Sequence, residues 1–479
     1  MTQKSLKYNI VINSIKTVSG LFFPLILFSY VSRVLSVEGI GQIDYVKNVV
    51  SFFIIFASLG ITAYGTREGA KVRTNKNSLS KFVRELLIIN AITTFITYVV
   101  FFFLLYFVKE FESYEDLFLI YSLCIGFTAL GLDWLYNALE DFQYITVRYV
   151  IFQLLALLLT FVFVNSKDDV YIYTLILVLS TVGSNVLNFI HSRKFVSYHI
   201  EGRINITKHF TPILILFSNS IIGNVYLMLD TVMLGWMTGA YSVGLYSAAN
   251  KINRICVGLI TSVFIVLLPR VSYYLKSNEI DKYRDLLAKS ANYIFLLSLP
   301  LGVLLCFLSS DLLLILSGKE FLPGTLCSQI ISVIVVLIPL SSMNSNQVLI
   351  PLGKEKLLLY STFIGALINI VLNYLLIPIY AEKGAAIASL AAELLVAFIT
   401  TYNASKIISY NSIFRNIWHY FVAVFCMSLS ILPLMLLTSG LFRAVLVSII
   451  GLFIYILCLL YFRDKYLNDL LINIYSKFK

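Results

Sequence analysis

A carboxylate, two cations and an amide lie in apolar stretches on either side of one short turn. Asp230 precedes the turn at residues 238–242, and Lys251 and Arg254 follow it. At about 1.5 Å per residue along a helix, Asp230 and Lys251 each lie about 15 Å from the middle of the turn. Asn250 and Lys251 share a helix face with Arg254, because residues three or four apart are neighbours. This spacing predicts a polar site that binds an anionic group, or else an Asp230–Lys251 pair that only joins two helices.

The composition is that of an integral membrane protein. Hydrophobic residues make up 59% of the 479 residues, charged residues only 13%, and the mean hydropathy is +0.88. A soluble domain has about 45–50% apolar and about 25% charged residues. The lysines and arginines that give the net charge of +11 cluster between apolar stretches. This distribution argues against a nucleic-acid-binding domain. Six cysteines are scattered singly, so the sequence indicates neither a metal site nor a disulfide framework.

Hydropathy predicts an all-α membrane protein of about fourteen transmembrane helices, because helices satisfy their own backbone groups in lipid. The predicted spans are residues 9–32, 45–66, 82–108, 117–139, 145–164, 170–190, 210–237, 243–269, 289–308, 326–349, 357–379, 384–405, 417–437 and 441–462.

Connections rich in lysine and arginine alternate along the chain with connections poor in them, and this pattern sets the orientation of a membrane protein. Roughly 26 of the 36 cations fall on one side of the membrane and about 7 on the other, with clusters in the connections after the second, sixth and eighth spans and in the C-terminal tail. Cytoplasmic loops carry such an excess, so both termini are expected in the cytoplasm.

Two copies of one motif indicate an internal repeat. Residues 36–48 resemble residues 239–251, with Gly41 aligned on Gly244 and Asn48 on Lys251. Each copy spans the outer turn between the first two helices of a six-helix block. The predicted organisation is an N-terminal lobe at 1–208, a C-terminal lobe at 209–406, and two further helices with a cytoplasmic tail at 407–479. In membrane proteins built from repeats of this kind, substrate sites lie at the seam between the two repeats.

Four cations are candidates to line that seam. The aligned copies place Lys47 near the position equivalent to Lys251, and Lys16 projects from the first helix. The alternative for Lys16 and Lys47 is that their long side chains reach the membrane interfaces. The predicted substrate-binding set is Lys16, Lys47, Lys251 and Arg254, with Asn219, Asn224, Asp230 and Asn250 as polar groups of the same cavity.

Other titratable groups have less specific surroundings. Glu393 lies near the middle of the twelfth span, and is either a proton- or cation-coupled carboxylate or a buried packing group. Asp133 and Glu140 are expected to face Arg148 at the cytoplasmic end of the fourth span, either as part of a gate or as a helix-end salt-bridge cluster. His191, His199 and His209 are expected as solvated residues of a basic loop.

Four stretches together resemble the Wzx-type flippases of bacterial polysaccharide assembly, whose superfamily includes the MATE-type exporters and the lipid II flippase. They are residues 30–44 (YVSRVLSVEGIGQID), 59–73 (LGITAYGTREGAKVR), 131–141 (GLDWLYNALED) and 230–252 (DTVMLGWMTGAYSVGLYSAANKI). The resemblance implies two six-helix lobes around a central cavity in the cytoplasmic membrane. It also implies a substrate, an oligosaccharide repeat unit on a polyprenyl pyrophosphate, moved to the outer leaflet for capsule, O-antigen or other surface polymers.

The expected function is therefore transport by alternating access rather than catalysis. No cofactor is required and no phosphate-binding loop is found, but coupling to Na⁺, H⁺ or the membrane potential is open. Expected partners are the lipid-linked oligosaccharide, the bilayer, a polysaccharide polymerase and glycosyltransferases, without nucleic acid. The alternatives are a MATE-like multidrug or metabolite antiporter, or a membrane glycosyltransferase or polymerase.

Overall fold

The computed structural model describes residues 6–198, 204–408, 410, 417–437, 440–469 and 472. Regular structure throughout this part of the chain is helical, which confirms the predicted all-α class. The chain forms two compact units, residues 1–244 and residues 245–479.

Unit 1 contains ten helices and the first turn of an eleventh. They are α1 (Leu6–Val34), α2 (Ser36–Ser58), α3 (Ile61–Val72), α4 (Lys76–Phe107), α5 (Lys109–Glu112), α6 (Glu115–Ala129), α7 (Asp133–Leu139), α8 (Phe142–Phe163), α9 (Val170–Ser192) and α10 (Thr207–Thr238).

Unit 2 contains the rest of the eleventh helix and seven more, with a 3₁₀ turn at Lys319–Gly324 and a π-helical turn at Ser345–Leu349. The helices are α11 (Ala240–Lys276), α12 (Ile280–Phe307), α13 (Ser309–Leu316), α14 (Thr325–Ser332), α15 (Ile334–Asn344), α16 (Glu355–Ser405), α17 (Trp418–Leu437) and α18 (Gly440–Tyr461).

Many of these helices are long and apolar enough to cross a membrane. Within the described residues there are 11 such helices, and two shorter apolar ones at Phe22–Val34 and Val225–Thr238. The chain is therefore a multi-pass membrane protein. The number fourteen and the lobe boundaries at 208 and 406 stay predictions.

Two of the predicted spans are interrupted by residues in the left-handed backbone region. The span predicted at 45–66 has left-handed backbone at Leu59 (φ 42°) and Gly60 (φ 72°), where α2 ends and α3 begins. The span predicted at 117–139 breaks at Leu132 (φ 46°). Hydropathy gives no signal for such breaks, because the leucines at both sites are as apolar as a continuous span requires.

The long helix α16 is two arms joined at Ala381, where the backbone turns to φ 48° and ψ −126°. The arms pack against each other through glycine: a Cβ at Gly384 would overlap the carbonyl of Leu376, and one at Gly365 would overlap the Val396 side chain. Contacts between residues 376 and 384 and between 365 and 396 are those of an antiparallel hairpin. The separate spans predicted at 357–379 and 384–405 correspond to these arms.

The C-terminal pair α17 and α18 packs on α12 through an apolar core that includes Phe295, Leu304 and Tyr455. The pair is also fixed by polar contacts. The Tyr455 hydroxyl donates to the Leu296 carbonyl at 3.1 Å. The Arg443 guanidinium donates to both carboxylate oxygens of Asp311 in α13, from Nε to Oδ2 and from Nη2 to Oδ1, each at 2.7 Å.

We expect Gly384→Ala to destabilise the protein, because the added methyl group would overlap backbone atoms of Leu376 that cannot rotate away. Overpacking of this kind costs about 1–3 kcal/mol. Gly258→Ala is the matched control, since a Cβ there meets nothing within 4 Å and alanine favours the helix. Thermal unfolding in detergent should show a lower midpoint for the first variant alone; equal midpoints would contradict the close packing of the two arms.

Candidate functional site

A polar stripe runs along α11 in unit 2. Arg254 lies 14 residues from the helix start at Ala240, about 20 Å along a membrane-spanning helix. The Arg254 side chain is exposed, and its Nε donates to the Asn250 Oδ1 at 3.3 Å. Lys251 is half-buried on the same face, three residues before Arg254. The structure therefore places a permanent positive charge and a second cation deep within one helix.

The second arm of α16 contacts this region of α11. The hydroxyls of Tyr246 and Ser389 are 3.0 Å apart. Because residues four apart lie on one helix face, Asn250 shares the face of Tyr246, and Glu393 shares the face of Ser389. Glu393 is half-buried, so the arm brings a carboxylate to the side of α16 that contacts α11.

Unit 1 has its own charged cluster, where α7, α8 and α9 meet. The Arg148 Nη2 donates to the Asp133 Oδ1 at 2.9 Å. The same carboxylate oxygen accepts from the Asn188 Nδ2 at 2.7 Å, and Arg148 also reaches the Ser184 carbonyl at 3.4 Å. The Arg148 side chain is only 5% exposed, whereas Asp133 is 47% exposed. Of the carboxylates expected to face Arg148, Glu140 instead pairs with Arg73 at 2.7 Å.

Lys16 of α1 joins this cluster. Its Nζ lies 6.0 Å from the ring centroid of Tyr149, and it interacts electrostatically with both Asp133 and Arg148. The cluster thus combines two cations with one carboxylate. An excess of positive charge in a sheltered site attracts anionic groups.

Lys47 lies on α2, one turn after Asp44, which was not among the predicted site residues. Lys47 is exposed, while Asp44 is buried and interacts electrostatically with the tyrosines 121 and 173 of the neighbouring helices α6 and α9. The signal for Asp44 was present in its position within the repeated motif, three residues before Lys47. We assign Asp44 to the polar groups of unit 1.

The remaining predicted residues are divided between the units. Asp230 is half-buried in α10 of unit 1, and the side chains of Asn219 and Asn224 lie outside the described part of the structure. Convergence of the four cations on one cavity and the Asp230–Lys251 pair stay predictions. Over the described residues, no group of three or more His, Cys, Asp or Glu could hold a metal ion.

The expectation of solvated histidines is wrong at His209, and His199 lies outside the described residues. His209 is buried; its Nε2 is 2.9 Å from the Glu85 carboxylate and its Nδ1 is 2.7 Å from the Tyr64 hydroxyl. His191 is half-buried, and its ring stacks on Tyr144 with centroids 3.9 Å apart. Loop composition alone did not indicate these packing contacts.

We expect Asp133→Ala to destabilise unit 1, because it leaves the buried Arg148 guanidinium without its carboxylate. Breaking a fully buried pair costs about 3–5 kcal/mol; the exposure of Asp133 reduces the expected loss to about 1–3 kcal/mol. The double variant Asp133→Ala with Arg148→Met should recover part of that loss, since no buried charge remains. Thermal unfolding of the single and double variants measures this, and a double variant less stable than Asp133→Ala would contradict it.

Comparisons with known proteins agree with this architecture. The profile of the polysaccharide biosynthesis protein family matches residues 6–275, and the MatE profile matches residues 213–375. A putative O-antigen transporter of Shigella dysenteriae is 25% identical, over 82% of this chain and 98% of its own length. The capsular polysaccharide biosynthesis protein CapF of Staphylococcus aureus is 22% identical, over 83% and 98%.

The fold is that of a solved transporter. The lipid II flippase MurJ in an inward closed conformation superposes with a TM-score of 0.76, at 16% identity, over 95% of this chain and 99% of MurJ. The family profile covers more than half of the chain, from α1 to the end of α11. The chain is therefore a member of the polysaccharide biosynthesis protein family.

Proposed function

We propose that this protein is a flippase that moves polyprenyl-pyrophosphate-linked oligosaccharides from the cytoplasmic to the outer leaflet of a bacterial cytoplasmic membrane. It acts as a transporter and does no chemistry on its substrate. The full-length likeness to a putative O-antigen transporter and to a capsular polysaccharide biosynthesis protein supports a role in surface polysaccharide assembly.

The observation that carries the proposal is Arg254, an exposed guanidinium about 20 Å along a membrane-spanning helix. A charge at that depth must face protein or water, and it marks a substrate path. A pyrophosphate needs cations in such a sheltered place. Arg254 can clamp two phosphate oxygens with parallel hydrogen bonds, while Lys251 adds a point charge one turn away.

The three parts of the proposed substrate bind in different environments. The pyrophosphate binds the cations, the sugars bind polar groups such as Asn250, and the lipid tail remains in the bilayer. Lys16 and Lys47 of unit 1 are proposed as further cations that bind the substrate. The two repeats rock about their seam, so that the path opens first to the cytoplasm and then outward.

The surroundings of the transporter follow from the same proposal. Both termini lie in the cytoplasm, because the cation-rich connections are on that side. The glycosyltransferases that complete the repeat unit act before the flippase, and a polymerase acts on the delivered repeat unit at the outer surface.

Glu393 is proposed as the coupling group. It lies on the face of α16 that contacts α11, four residues after Ser389. A half-buried carboxylate beside a cationic stripe can exchange a proton or a Na⁺ ion as the stripe gains and loses an anionic substrate. Flipping by a Glu393→Gln variant would then no longer respond to an imposed ion gradient.

A MATE-like antiporter of organic cations is the second candidate, because the MatE profile matches residues 213–375. An organic cation needs an anionic site. The α11 stripe instead presents Arg254 and Lys251, which favours an anionic substrate.

We expect Arg254→Ala to reduce flipping about 10- to 100-fold, the equivalent of losing one charged hydrogen-bond contact of about 1.5–3 kcal/mol. The substrate should accumulate in the cytoplasmic leaflet while the protein still inserts in the membrane. Arg254→Lys should retain more activity than Arg254→Glu, since only the first keeps the charge. Surface polymer and lipid-linked oligosaccharide are measured in cells that produce each variant.

Arg270→Ala is the matched control, because Arg270 is an exposed arginine of the same helix four turns further on. It should keep normal polymer output. Equal activity of the Arg254→Lys and Arg254→Glu variants would contradict a charge role. Normal polymer output without this protein, together with increased sensitivity to organic cations, would favour the antiporter.

A further inference from the structure

Two buried polar side chains of α4 have no hydrogen-bond partner among the residues that the structure describes. They are Asn90 and Thr94, which are 7% and 8% exposed, and the atoms concerned are the Asn90 Oδ1 and the Thr94 Oγ1. Residues four apart lie on one helix face, so both side chains are on the same side of α4. Asn90 lies 14 residues from the helix start at Lys76, about 21 Å along a membrane-spanning helix. Buried polar groups at such a place are unfavourable unless something binds them.

A bond within the helix is the usual solution for such side chains, and neither Asn90 nor Thr94 makes it. The Thr97 hydroxyl, on the same face of α4, donates to the Thr93 carbonyl four residues before it, at 2.8 Å. The same bond is made by the buried side chains of Thr160, Thr174, Asn253 and Thr400. The oxygens of Asn90 and Thr94 are therefore left for a partner beside the helix.

The end of α2 brings another oxygen to this turn of α4. The Thr93 hydroxyl lies 2.6 Å from the Ala57 carbonyl oxygen and 3.1 Å from the Asn90 carbonyl oxygen, so one hydroxyl bridges the two helices. Ala57 belongs to the last turn of α2, just before the left-handed residues Leu59 and Gly60. The last carbonyls of a helix have no amide of the same helix to bind, and the helix dipole puts partial negative charge there. The contact of α2 with α4 therefore combines neutral oxygen atoms with the negative end of a helix.

Neutral oxygens of this kind suit a small monovalent cation. Ca²⁺ and Mg²⁺ are held mainly by carboxylates. Within the described ranges of the chain, no group of three or more His, Cys, Asp or Glu could hold a metal ion. In transporters, helix C-terminal ends and carbonyls of unwound backbone coordinate Na⁺. The negative end of α2 also favours a cation over a neutral water molecule.

We propose that Asn90, Thr94 and the Ala57 carbonyl form a Na⁺ site where the end of α2 meets α4. The two side-chain oxygens and the carbonyl oxygen are the ligands, and the Thr93 hydroxyl positions the carbonyl. The bound ion joins the end of α2 to α4. The site consists of residues of unit 1 alone, whereas Glu393, the proposed coupling group, belongs to unit 2. It does not depend on the identity of the transported substrate.

The response of thermal unfolding to Na⁺ tests the site in the purified protein. NaCl replaces choline chloride at constant ionic strength in detergent. We expect Na⁺ to raise the wild-type midpoint by about 2–4 °C, because an ion that binds only the folded state stabilises it. The double variant Asn90→Leu with Thr94→Val should show no rise. Both replacements keep the approximate shape and remove the unpaired oxygens, so without Na⁺ this variant should unfold at the wild-type temperature or above it.

Thr97→Val is the matched control, because the Thr97 hydroxyl lies on the same face but is already bonded to the Thr93 carbonyl. It should keep the full response to Na⁺. All the proteins are also measured in a Glu393→Gln background, so that an ion at that carboxylate does not contribute to the response.

Three outcomes would overturn the proposal. The first is a response of the double variant equal to that of Thr97→Val. The second is a wild-type protein that does not respond to Na⁺, the result expected if only water binds these oxygens. The third is a double variant that unfolds well below the wild type without Na⁺, which would mean that protein groups already use the two oxygens.

Equilibrium binding of radioactive sodium to the purified protein gives an independent measurement. In the Glu393→Gln background, the Thr97→Val control should bind Na⁺ at least tenfold more tightly than the double variant, and equal affinities would overturn the site. Neither measurement uses the lipid-linked substrate. The Na⁺ site and the proposed flipping function can therefore fail separately.

Discussion

The organisation of this protein depends on one constraint: an ionised group within a bilayer must face protein, water or a counter-charge. Two arginines illustrate the constraint. Arg148 is buried and held by Asp133, whereas Arg254 is exposed and its Nε donates to the Asn250 Oδ1. Burial with a carboxylate suits a structural pair, and exposure of the guanidinium suits the substrate contact that we propose.

Close backbone approach is the complementary constraint. In lipid, apolar side chains gain little by leaving one apolar surface for another, so helices associate by fitting tightly. Glycine does this at the α16 hairpin, at Gly365 and Gly384, and at the crossing of α2 with α11. The same residue type thus permits close helix contacts in both units.

Much of this architecture could be predicted from the sequence. The apolar spans, the cation-rich loops and the resemblance of four motifs were enough for the helical class, the family and an acidic cluster facing Arg148, although not for which carboxylate pairs with it. The breaks at Leu59 and Leu132 could not be predicted, because left-handed backbone at a leucine leaves no trace in hydropathy. His209 was misjudged for a related reason: its burial depends on Glu85 and Tyr64, which are distant in the chain. Asp44 lies within the repeated motif, but its position beside Tyr121 and Tyr173 is known only from the structure.

The Asp311–Arg443 pair has a consequence for how the chain is made. Asp311 is 2% exposed, and its guanidinium partner follows 132 residues later. At a synthesis rate of about 5–20 residues per second, the ribosome delivers that arginine roughly 7–26 s after the aspartate. During that interval the Asp311 carboxylate lacks the guanidinium that holds it in the finished fold. Translation thus fixes an order of events: the contact between α13 and α18 forms only after α18 has been made.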